Sequence, residues 1–574
     1  MPRMRYHLPP QFRRAALRTS FIAALMAGSI AQAQPPADPT APPLPQTAGG
    51  LAHPDVPLMK TVVQTLASDD FGGRAPASPD EPKVLSYIVK QFRAVGLQPG
   101  VHGGWLQEVP TVSITAQNRS PLTVTGKGVS LTFAPGSDFV ARTYREAPHI
   151  ALTQAPLVFV GFGIHAPELG WDDYAGVDMH GKIAVILIND PDYANPDENG
   201  PFKGRRMTYY GRWTYKYEEA ARQGAAGAII VHETFPAAYA WQVVESSNAG
   251  TAHYVASADK GMSQTEVNGW IQQPAAQKLF AAAGLDLGQL SLAARVKGFH
   301  AVPLGLDASL SFDNTIDHAM SHNVIGILPG TTRKNQYVLY SAHWDHLGHC
   351  TPDAKGDGIC NGAVDNATGV AALTALAEAD VKAGPTPRSQ VFIAWTLEES
   401  GLLGSEWYGL HPVYPLAQTA GGVNMDALVP SGVAHDYAMT GGDKSDLTGV
   451  FDKALAAEGL RAGSEDHVER GHYYRSDHFS LAKRGVPMFD LSRGNDLLIG
   501  GTAAGAAASE DYVANRYHQP SDEYAPTWDW SGIAEDVRLY YRLGHTLATG
   551  SDWPNWHAGD EFRAVRDESR AGQH

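Results

Sequence analysis

Cysteine and long apolar runs are both scarce in this chain. Only two cysteines, Cys350 and Cys360, occur among its 574 residues. Their spacing does not match the paired Cys-x-x-Cys pattern of common zinc modules, which excludes that kind of module. Beyond the N-terminal segment, no run of apolar residues is long enough to cross a bilayer, which excludes a chain with internal membrane spans.

Positive charge is in deficit as well. The chain has 44 Lys and Arg against 60 Asp and Glu, a formal net charge of -16. A nucleic-acid-binding protein needs a cationic footprint, so the sequence predicts no nucleic-acid partner. Hydrophobic residues make up 43% and charged residues 18%, an ordinary globular balance. A chain of this length exceeds one ordinary core, so two or more domains are expected.

The N-terminus has the pattern of an export signal. Arg13, Arg14 and Arg18 precede the apolar run "FIAALMAGSIAQA", which ends in small residues at Ala33. This pattern predicts a signal peptide over residues 1–33 and a periplasmic or extracellular protein. The alternative is a membrane anchor, but the run is short for a bilayer span, and we expect no membrane attachment after cleavage.

The two cysteines flank a short loop, and two interpretations stay open for them. In an oxidising compartment Cys350 and Cys360 would close a disulfide. They would otherwise join His346 and His349 in a structural zinc site.

The composition changes along the chain. A Pro-rich lead-in covers residues 34–54, and a polar, charged segment expected to form a loose tail covers 551–574. Residues 145–303 contain buried-strand patterns such as "GKIAVILIND" and a strand-like "LSLAARVKGF", and are interpreted as an α/β module inserted into a larger domain. That larger domain would consist of residues 55–144 and 304–550.

Strand and helix patterns alternate after residue 321. "QYVLYSAH", "GVAALTALAEAD", "SQVFIAWTLEE", "GLLGSEWYGL" and "AGGVNMDALV" follow one another in that order. This rhythm predicts the α/β class, with a central sheet covered by helices. Ligands of such sheets bind beyond the carboxyl ends of the strands.

Five polar clusters lie at these strand ends or in the following loops: "HWDH", "GAVDNATG", "TLEES", "NMDA" and "RYHQPSDEY". Each has a simpler explanation when taken alone. Asp365 would cap a helix, Glu398 and Glu399 would begin one, Asp426 would occupy a turn, and His518 would be a surface histidine.

Together the clusters supply two histidines and several carboxylates, a donor set suited to zinc. Two zinc ions that share one carboxylate need two further ligands each. One carboxylate of the Glu398-Glu399 pair is then left over to move a proton. Asp345 follows His343 closely enough to orient its imidazole.

The sequence resembles secreted bacterial di-zinc aminopeptidases, which are relatives of glutamate carboxypeptidase and the transferrin receptor. The motifs that carry the resemblance are "HWDHLG", "GAVDNATGVAAL", "TLEESGLLGSE", "NMDA" and "YHQPSDEY". The inserted segment resembles a protease-associated domain through "VGFGI", "GKIAVIL" and "GRWTYKYEEAARQGAAGAIIVHE". The resemblance implies a zinc-exopeptidase fold, a peptide substrate and two Zn²⁺ ions.

The resemblance also implies a role for each motif residue. Glu398 would be the general base and acid, Tyr517 would stabilise the oxyanion, and Asp345 would support the site. Asp365 would precede a cis bond to Asn366. No catalytic role follows for His346. The implied metal ligands are His343 and Asp426 for one ion, Glu399 and His518 for the other, and Asp365 as the bridge.

Substrate recognition is less determined by the sequence. Arg475, Asp477 and His478 in "GHYYRSDHF" are candidate substrate contacts, with solvated-loop roles as the alternative. Carboxylates near the metals favour a free amine, whereas Arg475 would favour a C-terminal carboxylate and a carboxypeptidase. Two other classes are a non-catalytic binding protein and a one-zinc glutaminyl cyclase. The complete ligand set counts against both.

Overall fold

The structure is a computed structural model, and it describes residues 53–572. The predicted signal peptide and the Pro-rich segment up to residue 52 lie outside the described residues. The first helix, Val56–Leu66, begins with a proline in its first turn and is capped by Asp55, whose side chain accepts a hydrogen bond from the Leu58 N–H at 2.9 Å.

A mixed sheet runs through the body of the chain, meaning the described residues outside the inserted segment 145–303. Its four central strands are parallel, in the order Arg388–Trp395, Arg333–His343, Thr419–Asn424 and Met488–Arg493. Antiparallel neighbours are added at both sides. In spatial order the strands are Gln98–Pro99, Val302–Leu328, Arg388–Trp395, Arg333–His343, Thr419–Asn424, Met488–Arg493, Asp436–Met439 and Arg461–Ala462.

Helices cover this sheet and complete the predicted α/β class. Residues 368–377 of the helix Thr368–Ala383 are all buried because their small and apolar side chains pack between the sheet and neighbouring helices. The helices of the body are Val56–Leu66, Glu81–Ala94, Thr368–Ala383, Leu403–Leu410, Leu447–Glu458, His478–Ala482, Gly501–Asn515, Trp530–Thr549 and Arg563–Arg570.

The inserted segment packs around apolar cores of its own. Strands that precede residue 145 also contribute to these cores, since Leu122, Phe133 and Phe139 are buried there. The strands of this region are Leu106–Gln117, Leu122–Gly126, Val129–Phe133, Phe139–Arg142, His149–Phe159, His165–Ala166, Trp171–Asp172, Ile183–Leu187, Gly227–His232, Thr251–Val255 and Val267–Gln272. Its helices are Trp213–Arg222, Thr234–Ala237, Trp241–Ala249, Gln273–Ala282 and Leu287–Ala293. The domain limits and the protease-associated identity stay predictions.

One long strand joins the two regions. Val302–Leu328 pairs with His149–Phe159 near its start and with Arg388–Trp395 at its end. The stretch "LSLAARVKGF" is not the strand that its apolar residues suggested, because its first half completes the helix Leu287–Ala293.

The expectation of a loose C-terminal tail is wrong. Trp556 and Phe562 are 2% exposed and pack against Tyr473, Tyr474 and Phe479. The Trp556 indole N–H also donates to the Gly485 carbonyl at 3.0 Å. These aromatic side chains anchor a segment whose overall composition is polar. Across residues 53–572, no helix combines the length and apolarity needed to cross a membrane.

Candidate metal centre

The sheet brings the predicted ligands to one edge. His343 ends its strand opposite Trp395, and Ser341 of the same strand lies opposite Asn424. The chain segments that follow Trp395 and Asn424 carry Glu398-Glu399 and Asp426. Because these strands are parallel neighbours, their carboxyl ends meet and the polar side chains converge.

His343 lies within reach of two carboxylates. Its Nε2 atom is 3.2 Å from Asp365 Oδ1 and 3.2 Å from Asp426 Oδ1. The three side chains offer donor atoms that all lie within 4.8 Å of one another, a spacing that allows one ion to contact them together.

His518 forms the second half of the cluster. Its Nε2 atom is 3.0 Å from Glu399 Oε2 and 3.4 Å from Asp365 Oδ2. The two oxygens of Asp365 therefore face two different histidines, the arrangement that a carboxylate shared between two ions requires. The peptide bond between Asp365 and Asn366 is cis.

His346 is closer to the centre than the sequence indicated. Its Nδ1 atom is 2.6 Å from Glu399 Oε1, and its side chain is fully buried. With Asp365 and Glu399 it forms a second group of three possible metal donors. His346 thus either positions Glu399 or competes with His518 as a ligand. The second histidine of "HWDHLG" was the sequence signal for this residue. Its contact with Glu399 could not be predicted, because Glu399 lies in a loop that is distant in sequence.

Asp345 supports the site differently from the expectation. Its Oδ1 atom is 3.7 Å from His343 Nδ1, beyond hydrogen-bond distance, and that ring nitrogen lies 3.2 Å from the backbone carbonyl of Asp345. The carboxylate instead accepts the backbone N–H groups of Glu398 at 3.1 Å and Glu399 at 3.4 Å. Asp345 therefore holds the turn that presents both glutamates.

Two further polar residues position the loop that carries Asp365. The buried Asp522 carboxylate accepts the backbone N–H groups of Val364 at 3.1 Å and Asp365 at 3.0 Å. Asn366 donates to the Met425 carbonyl at 3.0 Å, which ties this loop to the one carrying Asp426. Both residues lie inside quoted motifs, but neither was assigned a role.

Arg74 lies outside the quoted motifs, and it is fully buried behind the site. Its guanidinium donates to the carbonyl oxygens of Trp344 at 2.8 Å, Asn361 at 2.6 Å and Gly362 at 2.8 Å, and to that of Leu66 at 2.9 Å. A single side chain thus connects the N-terminal helix with the segments that follow His343 and precede Asp365.

Replacing Arg74 by methionine is expected to destabilise the fold, because four buried carbonyl groups lose their donor. We expect the free energy of unfolding to fall by about 3 kcal/mol. Urea unfolding followed by circular dichroism measures the change, with Arg205→Met, at an exposed position of the inserted segment, as the control. Equal midpoints for the two variants would contradict this structural role.

Carboxylates dominate the electrostatics of the centre. Burial raises the pKa of Glu398 well above the usual glutamate value; His343 opposes this shift, and Asp426 adds to it. Burial alone would lower the pKa of His518, but hydrogen bonds to Asp365 and Glu399 raise it to about 10. The carboxylates therefore favour positive charge at this edge of the sheet, as expected of a site that attracts cations.

The residues present fit zinc. Imidazole nitrogens and carboxylate oxygens are the donors that zinc takes in catalytic sites, and here they converge in two groups that share Asp365. The carboxylate-rich surroundings supply the negative charge that a pair of divalent ions needs.

The remaining predicted residues border the centre in different ways. Tyr517 is 44% exposed, and its ring stacks on His518 with ring centroids 3.8 Å apart. Asp477 and His478 are both 0% exposed, which speaks against direct substrate contact. Arg475 is exposed.

The loop between His343 and Asp365 carries the two cysteines. Cys350 and Cys360 form a disulfide, with their Cα atoms 5.8 Å apart. Their sulfur atoms are thus engaged with each other, which leaves no thiolate for the alternative zinc site with His346 and His349.

Comparison with known proteins identifies the segment that carries the centre. Residues 323–541 match the model of Peptidase family M28. All five predicted ligands and Glu398 lie within the match. For this segment the match confirms the peptidase family, whereas aminopeptidase activity, secretion and the number of ions stay predictions.

Similar proteins cover the chain to different extents. An Aminopeptidase NAALADL1 of Mus musculus is 32% identical over 108 residues, which are 18% of this chain and 13% of that relative. The chain therefore aligns with only a small part of the curated relative.

Among solved structures, an aminopeptidase from Aneurinibacillus sp. strain AM-1 has 20% identity and a TM-score of 0.45, covering 87% of this chain and 96% of that chain. BSAP, a zinc aminopeptidase from Bacillus subtilis, has 17% identity and a TM-score of 0.38, covering 90% of this chain and 100% of that chain.

Proposed function

We propose that this chain, whose residues 323–541 match Peptidase family M28, is an exported zinc-dependent aminopeptidase that removes N-terminal residues from peptides. The observation that carries the proposal is that the two oxygens of Asp365 face two histidines, His343 beside Asp426 and His518 beside Glu399. Glu398 lies next to this cluster. The family match supports a metal-dependent hydrolase, and the number of ions and the roles below belong to the proposal.

In this proposal two zinc ions occupy the centre. His343 and Asp426 would hold one ion. Glu399 and His518 would hold the other, and Asp365 would contact both. When bound, zinc supplies Lewis acidity toward the scissile carbonyl and lowers the pKa of water.

The chain's own residues would then move the protons. Glu398 takes a proton from the attacking water as its oxygen bonds to the carbonyl carbon. The same carboxyl returns that proton to the amine nitrogen as the C–N bond breaks. Asp345 keeps Glu398 in place through the hydrogen bond to its backbone N–H. The Tyr517 hydroxyl would donate to the developing oxyanion.

The charges around the centre support recognition of a free amine. Glu398 and Asp426 are carboxylates at the metal edge. Of the basic residues nearby in sequence, Arg388 donates to the Leu547 carbonyl at 2.7 Å, and Lys382 pairs with Glu378 at 2.8 Å. Neither is available to hold a C-terminal carboxylate at the scissile bond. Lys355 is exposed in the loop with the two cysteines, and Arg475 is the basic residue that would favour the carboxypeptidase alternative.

A peptide in three forms tests the proposed activity. We expect release of the first residue from the form with a free N-terminus and from its C-terminal amide, and none from the N-acetylated form. Cleavage of the acetylated form together with loss on amidation would identify a carboxypeptidase instead.

Export is a separate part of the proposal. It rests on the signal-like pattern of residues 1–33, which lie outside the described residues, and on the Cys350–Cys360 disulfide, a bond that persists in oxidising compartments. N-terminal sequencing of the protein recovered from the periplasm or medium tests it, and we expect a mature chain beginning after Ala33.

A further inference from the structure

A cationic cavity lies where the inserted segment contacts the body of the chain. It has a volume of about 210 Å³ and is lined by Arg212 from the inserted segment and by Arg470 and Arg475 from the body of the chain. The remaining lining is apolar or aromatic, including Val243 and Tyr239, and contains no carboxylate. This excess of positive charge in the lining contrasts with the whole chain, in which acidic residues outnumber basic ones by 60 to 44.

The arginine side chains have no partner within the described part of the chain. No ion pair or side-chain hydrogen bond engages Arg212, Arg470 or Arg475 there, and the Arg212 Nε atom is buried without an acceptor. The nearby Glu469 lies 3.2 Å from His467 and does not line the cavity. Burial lowers the pKa of Arg212 to about 10, and the charge of Arg475 adds to this shift. The three guanidinium groups therefore lack an anion in the cavity that would offset their mutual repulsion.

The cavity adjoins the metal centre through the backbone. Ser476, the residue after Arg475, donates its hydroxyl hydrogen to Asp426 Oδ2 at 2.7 Å. Because consecutive Cα atoms lie about 3.8 Å apart, Arg475 in the cavity wall is next to Ser476, which contacts the predicted ligand Asp426. The inference requires that a substrate bound at the metal centre extends past Ser476 toward these arginines.

We propose that the cavity between Arg212, Arg470 and Arg475 binds a carboxylate of the peptide substrate, which makes short or acidic peptides the preferred class. Guanidinium groups bind carboxylates in paired, charge-assisted hydrogen bonds. The apolar side formed by Val243 and Tyr239 would contact the adjoining aliphatic part of the ligand. The inserted segment would thereby contribute to specificity. This inference rests on the proposed aminopeptidase activity.

Three tripeptides with free N-termini test the inference on the full chain. The first ends in a free acid, the second is its amide, and the third is an amide with a glutamate at its second position. We expect kcat/KM for at least one carboxylate-bearing peptide to exceed that of the neutral amide by roughly tenfold, mainly through KM. A preference for the free acid identifies the C-terminus as the source, and a preference for the third peptide identifies an acidic side chain.

Arg475→Gln is the decisive variant because the exposed position tolerates the change without loss of folding. It should bring the ratio of carboxylate to neutral peptide close to one, as should Arg212→Gln, whereas Arg205→Gln should leave the ratio unchanged. Equal kcat/KM for all three peptides in the unmodified chain would overturn the inference and leave the aminopeptidase proposal intact. Failure to release the first residue from any of them would contradict both.

Discussion

Glu398→Gln is expected to lower kcat by roughly 100- to 10,000-fold while the protein keeps its zinc. The amide preserves the size of the side chain and the backbone hydrogen bond to Asp345, but it cannot accept and return a proton. The unchanged metal content follows because Glu398 is not one of the proposed ligands. Kinetics with an aminoacyl substrate and metal analysis of the same sample measure both effects.

Glu378→Gln provides the matched control for this change. Glu378 lies on the helix Thr368–Ala383 and pairs with Lys382, remote from the proton transfer, so full activity is expected. Glu399→Gln should behave differently from both and weaken zinc binding. Near-normal turnover in the Glu398 variant, or zinc loss there but not in the Glu399 variant, would reverse the two assignments.

Asp365→Asn is expected to have the second large effect, on metal binding itself. Its two carboxylate oxygens face His343 and His518, so removing the charge weakens both halves of the site. We expect kcat/KM to fall by at least roughly 100-fold, together with zinc affinity. Isothermal titration of the metal-depleted variant with Zn²⁺ measures the affinity.

The matched control is Asp452→Asn, on the exposed side of the helix Leu447–Glu458. It removes the same charge from the protein but should not change zinc binding. A variant at Asp365 that binds zinc as tightly as this control would show that the carboxylate is not shared between the ions.

The sequence predicted where the main polar clusters lie because the central strands of the sheet are parallel. His343 ends a strand, Glu399 and Asp426 come shortly after one, and neighbouring parallel strands end at the same edge. The apolar strand patterns were strong enough to identify those ends. Asp365 and His518 come from loops, and only the family resemblance assigned them.

Other features depend on tertiary contacts that no local pattern contains. Arg74 donates to the Gly362 carbonyl across 288 positions of the chain. The contact between His346 and Glu399 likewise depends on how two loops meet. The buried state of Asp477 and His478 follows from packing around a loop that is polar in sequence. The C-terminal segment was mispredicted because a few buried aromatic residues outweigh its polar composition.

The number of zinc ions needed for activity tests the central claim most directly. Protein stripped with a chelator should be inactive toward a free-amine substrate, and stepwise addition of Zn²⁺ should restore activity. The account predicts that full activity requires about two ions per chain, the number implied by two donor groups that share Asp365. Full activity with one ion per chain, or in the stripped protein, would contradict it.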